Sequence, residues 1–264
     1  RKIFIESIMI DTHAHLYDAH FLNDLDAHIA EIRANGVQEV WMPNCDSASW
    51  KDLINVTNKY PDFALPMIGL HPTYVKENYL IELENLKNIL NTQKVLAIGE
   101  IGLDYYWDTT FRAEQIIAFE MQCHWALEHK IWIDVHCRKA YADLIRILKK
   151  PNFENLRGII HCFSGDAREA ETLVGLGFKL GIGGVITYKN STLFQDIKDI
   201  SLEHIVLETD SPYLTPVPFR GKPNSPSYIP IIAQKLADLY QISLEELVAK
   251  TCINASQLKT YAGF

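Results

Sequence analysis

Cysteine is sparse and never paired in this chain. There are five thiols in 264 residues (Cys45, Cys123, Cys137, Cys162 and Cys252), with no Cys-x-x-Cys spacing. An odd, scattered set excludes a disulfide framework and a cysteine-rich zinc finger, and reads as the reduced thiols of a cytoplasmic protein. Long hydrophobic runs are missing too. None approaches the roughly 18 residues that span a bilayer, and no signal-peptide pattern opens the chain. Nor is there an excess of basic charge: 25 Lys and Arg stand against 33 Asp and Glu, a net charge of −8. That sign excludes a broad basic grip on long nucleic acid. A deep site that neutralises one or two phosphates through metal ions stays compatible with it. No obligate protein partner is indicated, and no low-complexity tract or internal repeat occurs.

What is present is a regular alternation. Short runs rich in Val and Ile predict strands at 8–13, 37–43, 63–70, 94–100, 131–136, 157–161, 178–183 and 205–210. Amphipathic stretches predict helices between them, among them 21–34, 78–91, 112–129 and 141–149. Asp166 with Glu169, and Ser243 with Glu246, have capping-box spacing. The pattern predicts an α/β fold with a parallel sheet, and eight strands close a single (β/α)8 TIM barrel. The structural alternative, a doubly wound open sheet, would need a G-x-G-x-x-G fingerprint after the first strand, and none is there. Met9 is a candidate natural start, which makes residues 1–8 an N-terminal extension and 9–264 the barrel domain.

In such barrels the active site sits at the carboxyl ends of the strands. The residues at those ends are His13 and His15, His71, Glu100, His136, His161, and Glu208 with Asp210. Imidazoles and carboxylates converging on one mouth would be costly, competing buried polar groups without a cation. Nitrogen and oxygen donors without thiolate suit zinc, manganese, magnesium, iron or nickel. Their number favours two divalent ions, with Glu100 placed to bridge, and such a pair activates water for hydrolysis.

These residues lie in motifs that carry a family resemblance. Asp11-Thr12-His13-Ala14-His15-Leu16 resembles the opening motif of the TatD-type metal-dependent hydrolases, within the amidohydrolase-like barrels. The likeness continues through Gly69-Leu70-His71-Pro72, Gly99-Glu100-Ile101-Gly102-Leu103-Asp104-Tyr105, His136-Cys137-Arg138 and His161-Cys162-Phe163-Ser164-Gly165. It extends to Gly183-Gly184-Val185-Ile186-Thr187, Glu208-Thr209-Asp210-Ser211-Pro212-Tyr213-Leu214, Thr215-Pro216, and Arg220 through Pro226. The resemblance spans about residues 9–260. It implies a divalent-metal phosphodiesterase, commonly a 3′-to-5′ exonuclease acting on single-stranded or frayed DNA ends. It also implies His13, His15, Glu100, His136, His161 and Asp210 as metal ligands, with Glu208 near the catalytic water. Many amidohydrolases carry a modified lysine on strand four, where this chain has Glu100, as the TatD type does.

Chemistry assigns further roles. Asp210 can hold a metal and accept the proton of the attacking water, and Glu208 is the alternative base. Arg138, two residues past His136, is spaced to pair with a phosphate. Arg220, Lys222 and Asn224 lie in the loop after strand eight and could hold a nucleic-acid backbone. Tyr105, Tyr106, Trp107, Phe163 and Tyr213 are rim aromatics suited to stacking on unpaired bases. His71 is expected beside the ligands or facing substrate, and Cys137 and Cys162 in the core. The expected substrate is a DNA end or a small phosphodiester. The enzymatic alternative is hydrolysis of an acyl, amide or aminoacyl-tRNA bond, and the non-enzymatic one a binding protein.

Overall fold

The computed structural model describes residues 8–264. Residues 1–7 of the expected extension lie outside the described residues. The strands are β1 (Met9–Asp11), β2 (Val37–Pro43), β3 (Ala64–Met67) and β4 (Ala97–Asp104), then β5 (Trp132–Arg138), β6 (Gly158–Ile160), β7 (Phe178–Ile182) and β8 (Ile205–Leu207). Every paired neighbour is parallel. Continuous ladders run β1-β2-β3 and β4-β5-β6-β7-β8. Isolated bridges join the two arcs, Ile68 to Ile98 on one side and Ala14 to Ser211 on the other. The result is a closed (β/α)8 barrel.

The helices are α1 (Ala19–Leu22), α2 (Leu25–Ala34), α3 (Trp50–Lys59), α4 (Tyr79–Leu90) and α5 (Arg112–His129), then α6 (Tyr141–Leu148), α7 (Ala167–Gly175), α8 (Leu193–Ile197), α9 (Ile229–Tyr240) and α10 (Leu244–Tyr261). The single helix expected over 21–34 is two. Asp24 leaves helical geometry at φ −153°, and the chain turns there before α2 begins. At α7 the full Asp166–Glu169 capping box forms, and at α10 the Ser243 hydroxyl accepts from the Glu246 N–H. No helix among the described residues is long and apolar enough to cross a membrane.

Alternation along the strands sorts side chains into two apolar layers. Outward residues such as Ile98, Ile101, Leu103, Ile133 and Val135 pack beneath the helices. Inward ones (Trp41, Leu65, Met67, Ala97, Trp132, Ile159 and Val206) fill the barrel floor with Leu258 of α10. Trp41 and Trp132 meet there at 5.3 Å between ring centroids. Along β5, Trp132, Asp134 and His136 therefore share the inward face, from floor to mouth.

Strand β4 departs from the expected boundary. Residues 99–105 read as a glycine-bracketed loop in sequence, yet the strand runs through to Asp104. Its pairing with β5 moves from Ile98–Ile133 to Ile101–Val135, three residues against two. This is a one-residue bulge, and it shifts the phase of the strand. Unbroken alternation would turn Glu100 outward with Ile98; the bulge turns it into the barrel. Both glycines mark close approach, not a turn. A Cβ on Gly99 would sit 2.5 Å from Asp134 Cβ, and one on Gly102 only 1.8 Å from the His136 carbonyl oxygen.

Candidate metal centre

Backbone bonds across the β8–β1 seam set the first histidines. Thr12 N–H donates to Leu207 O, and Asp210 N–H to His13 O. Behind them Asp11, fully buried, accepts from the N–H groups of His13 and Thr209 and from the Thr209 hydroxyl. Burial pushes the Asp11 carboxyl up to about 7 despite those bonds.

Glu100 is the hub. Its Oε2 lies 3.2 Å from His13 Nε2 and 3.9 Å from His15 Nε2. Its Oε1 lies 3.0 Å from His136 Nδ1, 3.2 Å from His71 Nε2 and 3.6 Å from His161 Nε2. Asp210 Oδ1 stands 3.3 Å from His15 Nε2 and 3.5 Å from His13 Nε2, with Oδ2 3.9 Å from His161 Nε2. Three sets of donor atoms fall within 4.8 Å of one another: His13, Glu100 and His161; His13, His15 and Asp210; and His71, Glu100 and His136. The structure thus gathers the six ligand candidates, and it adds His71 to the same ring.

Outside the ring, each imidazole has a partner on its other nitrogen, and several of these were not singled out from sequence. His13 Nδ1 is 2.7 Å from Asp134 Oδ2. His161 Nδ1 is 3.0 Å from Glu208 Oε1, and His136 Nε2 is 2.8 Å from Asp104 Oδ2. His15 Nδ1 is 2.9 Å from Tyr17 OH, whose own hydrogen goes to the Pro43 carbonyl. The outer partners of His13, His15 and His136 accept, and His161 Nδ1 faces a carboxylate oxygen without forming a hydrogen bond to it, so these imidazoles keep their hydrogen on the outer nitrogen and turn a bare lone pair inward. Asp134 carried a signal that could have found it, because it shares a strand face with His136. Asp104 shares the inward face of β4 in the same way.

A bare imidazole lone pair facing carboxylate oxygens is repulsive unless something positive sits between them. His13 Nε2 is buried and has no hydrogen-bond partner, while two carboxylates approach it. Without an ion, protons fill that role. Burial opposes charge on His13, but Asp134 and Glu100 outweigh it and hold the ring well above the ordinary imidazole value. Burial likewise opposes charge on His161, but chiefly Glu208 lifts it to about 9. The Glu100 carboxyl is held well below the usual carboxylate range by His71, His13 and His161, against the opposing effect of burial. Nitrogen and oxygen donors arranged in this way fit a divalent cation.

The remaining site expectations divide. Arg138 is exposed, with its guanidinium 3.7 Å above the Tyr106 ring. Arg220 stacks at 4.0 Å on Tyr188, and Tyr213 is exposed with its ring 6.1 Å from His15. Three residues stand elsewhere than expected. Phe163 is 2 % exposed and packs edge-on against Tyr141 within the core, so it presents no face to a base. Asn224 is fully buried and donates to the Thr209 and Tyr213 carbonyls, pinning the loop from inside. Glu208 is also fully buried, with Oε1 accepting from the Cys162 N–H and lying 3.0 Å from His161 Nδ1, on the outer side of the ligand ring. Cys137 lies in the outer apolar layer, and Cys162 is half-buried; neither joins a ligand set among the described residues.

The barrel and this ring define a metal-dependent hydrolase, and comparison with known proteins agrees. The model of the TatD related DNase family matches residues 10–259. The metal-dependent hydrolase YabD of Bacillus subtilis is 35% identical over 252 residues, covering 95% of this chain and 98% of that protein. The 3′-5′ ssDNA/RNA exonuclease TatD of Erwinia amylovora is 28% identical over 257 residues, covering 95% and 99%. The crystal structure of YJJV, a TatD homologue from Escherichia coli K12, superposes with a TM-score of 0.91 at 28% identity, covering 96% and 98%. The chain belongs to the TatD family.

Proposed function

We propose that this hydrolase cleaves phosphodiester bonds at the 3′ ends of single-stranded or frayed DNA, using two divalent ions held by His13, His15, Glu100, His136, His161 and Asp210. The observation that carries the substrate class is Arg138. It follows His136 on β5, and its guanidinium is kept at the surface by Tyr106, where it can meet a phosphate bidentately. The acidic net charge suits contact with an end rather than with a long duplex. A relative named as a 3′-5′ ssDNA/RNA exonuclease, aligned over nearly the whole chain, supports the same reading.

Asp210 is the base. Its side chain is 16% exposed while that of Glu208 is fully buried, so only Asp210 can take a proton from water entering the mouth. Burial opposes charge on Asp210, but in the metal-free ring His161, His15 and His13 hold its carboxyl below the usual carboxylate range. A divalent ion bound in the ring would supply Lewis acidity toward the scissile group and ease ionisation of water. The test is protein loaded with zinc, manganese or magnesium, acting on an end-labelled single strand beside an aminoacyl ester. We expect shortening of the strand, abolished in Glu100→Gln and Asp210→Asn. Faster cleavage of the ester than of the strand would reverse the assignment.

A further inference from the structure

Five imidazoles surround Glu100, and four turn lone pairs toward it because their outer nitrogens face acceptors. His71 is wired the other way. It precedes the 3-10 turn Pro72–Tyr74 and caps it: its Nδ1 accepts from the Thr73 backbone N–H at 3.1 Å, with the Thr73 hydroxyl 2.8 Å away. A backbone N–H can only donate. Nδ1 must therefore be the bare nitrogen, and the ring hydrogen of neutral His71 sits on Nε2, the atom facing the mouth.

Distance alone groups His71 with Glu100 and His136 as a ligand set. Hydrogen-bond polarity separates them. His136 Nδ1 is free to bind a cation because Asp104 takes the hydrogen on Nε2. His71 Nε2 already carries the one ring hydrogen, and freeing that nitrogen for a cation would move the hydrogen to Nδ1, where it would point at the Thr73 N–H. We propose that His71 is not a metal ligand but the neutral hydrogen-bond donor of the mouth, presenting Nε2–H to an anionic oxygen of the substrate. Its side chain is 13% exposed, open enough to be reached from the mouth, and Nε2 lies 3.2 Å from the Glu100 oxygen that His136 and His161 also face. A donor placed where negative charge develops lowers the barrier without adding net charge to the ring. The inference rests on the ring being a metal centre, and its test separates the two claims.

Nitrogen-resolved NMR of the imidazoles, in the full chain with and without zinc, reads the tautomer directly. We expect His71 to keep Nε2 protonated and Nδ1 bare in both states. In parallel, zinc affinity is measured for the wild type, His136→Ala, His71→Ala and His71→Gln. His136→Ala should lose at least about tenfold, as loss of a ligand or its orienting shell does. Both His71 variants should stay within about threefold of wild type. Against the substrate, His71→Ala should lose about a hundredfold in kcat, the usual effect of removing one such donor. His71→Gln, whose amide N–H reaches the position of Nε2, should recover part of that loss. A hydrogen found on Nδ1, with or without zinc, overturns the proposal, and so does a fall in zinc affinity in His71→Ala to match His136→Ala. Absence of zinc binding by the wild type would instead refute the metal centre, and the metal-free tautomer would still decide His71.

Discussion

Replacing Asp134 by Asn tests whether the buried shell behind the ligands sets their chemistry. Asp134 is fully buried, its Oδ2 is 2.7 Å from His13 Nδ1, and its Oδ1 has no hydrogen-bond partner. An asparagine can sit in two ways. With its oxygen toward His13 the bond survives uncharged, and the NH2 lands where Oδ1 now has no partner, costing about 1–3 kcal/mol. With its NH2 toward His13, Nδ1 is forced to accept, Nε2 takes the hydrogen, and the inward lone pair is gone. Either way the ligand weakens. Loss of an orienting carboxylate of this kind typically lowers metal affinity about 10–100-fold, or about 1.4–2.7 kcal/mol. Calorimetric titration of zinc into Asp134→Asn should show that loss, and the melting temperature of the metal-free protein should fall by about 2–10 °C. Zinc affinity and activity both within threefold of wild type would refute the reasoning, because the shell would then be packing and nothing more.

Metal binding should be proton-coupled. His161 is raised to about 9 and His13 and His136 are raised too, so at neutral pH the metal-free rings hold protons that an ion must displace. Apparent affinity should therefore strengthen as pH rises toward about 9 and weaken as it falls; calorimetry in buffers of different ionisation enthalpy should register proton release on binding, and a pH-independent affinity contradicts it. Phe163→Ala should cost about 3–5 kcal/mol of stability with KM little changed, as core truncation does; a shift in KM without one in melting temperature would restore Phe163 to the substrate surface. Trp107 is 68% exposed beside Tyr106, so Trp107→Ala should raise KM for a single-stranded oligonucleotide by about five- to a hundredfold while leaving a small aryl phosphodiester unaffected. Equal effects on both substrates would rule out base stacking.

The fold was legible because β/α alternation is a matter of hydrophobic period, and periods survive without tertiary information. The ring of candidate ligands was legible for a related reason: strand ends mark the barrel mouth, and His13, His15, Glu100, His136, His161 and Asp210 all fall there. What could not be read depends on neighbours in space. Gly99 and Gly102 look like loop punctuation until Asp134 and the His136 carbonyl are seen pressed against them. The bulge that turns Glu100 inward exists only as a difference in pairing between two strands. Phe163 and Asn224 sit in loops whose position near the mouth is plain, but side-chain direction there follows no period. Glu208 and Asp210 are two residues apart near one strand end and look interchangeable; burial alone separates the fully buried carboxylate from the one partly open to the mouth.

The barrel wall has two seams, where a continuous ladder gives way to an isolated bridge and a few backbone bonds, and the ring straddles both. His13 and His15 lie on one side of the Ala14–Ser211 seam and Asp210 on the other, while His71 and Glu100 flank the Ile68–Ile98 seam. Ions gripped by these groups would act as a hoop fastened at both joints, adding stability by mass action as well as reactivity. Chelation should then loosen the circumference before any helix melts. The amides of Asp210 and Ile68, which bond across the two seams, should be the first to exchange with solvent. Their exchange rates would report metal occupancy in a protein that has no colour of its own.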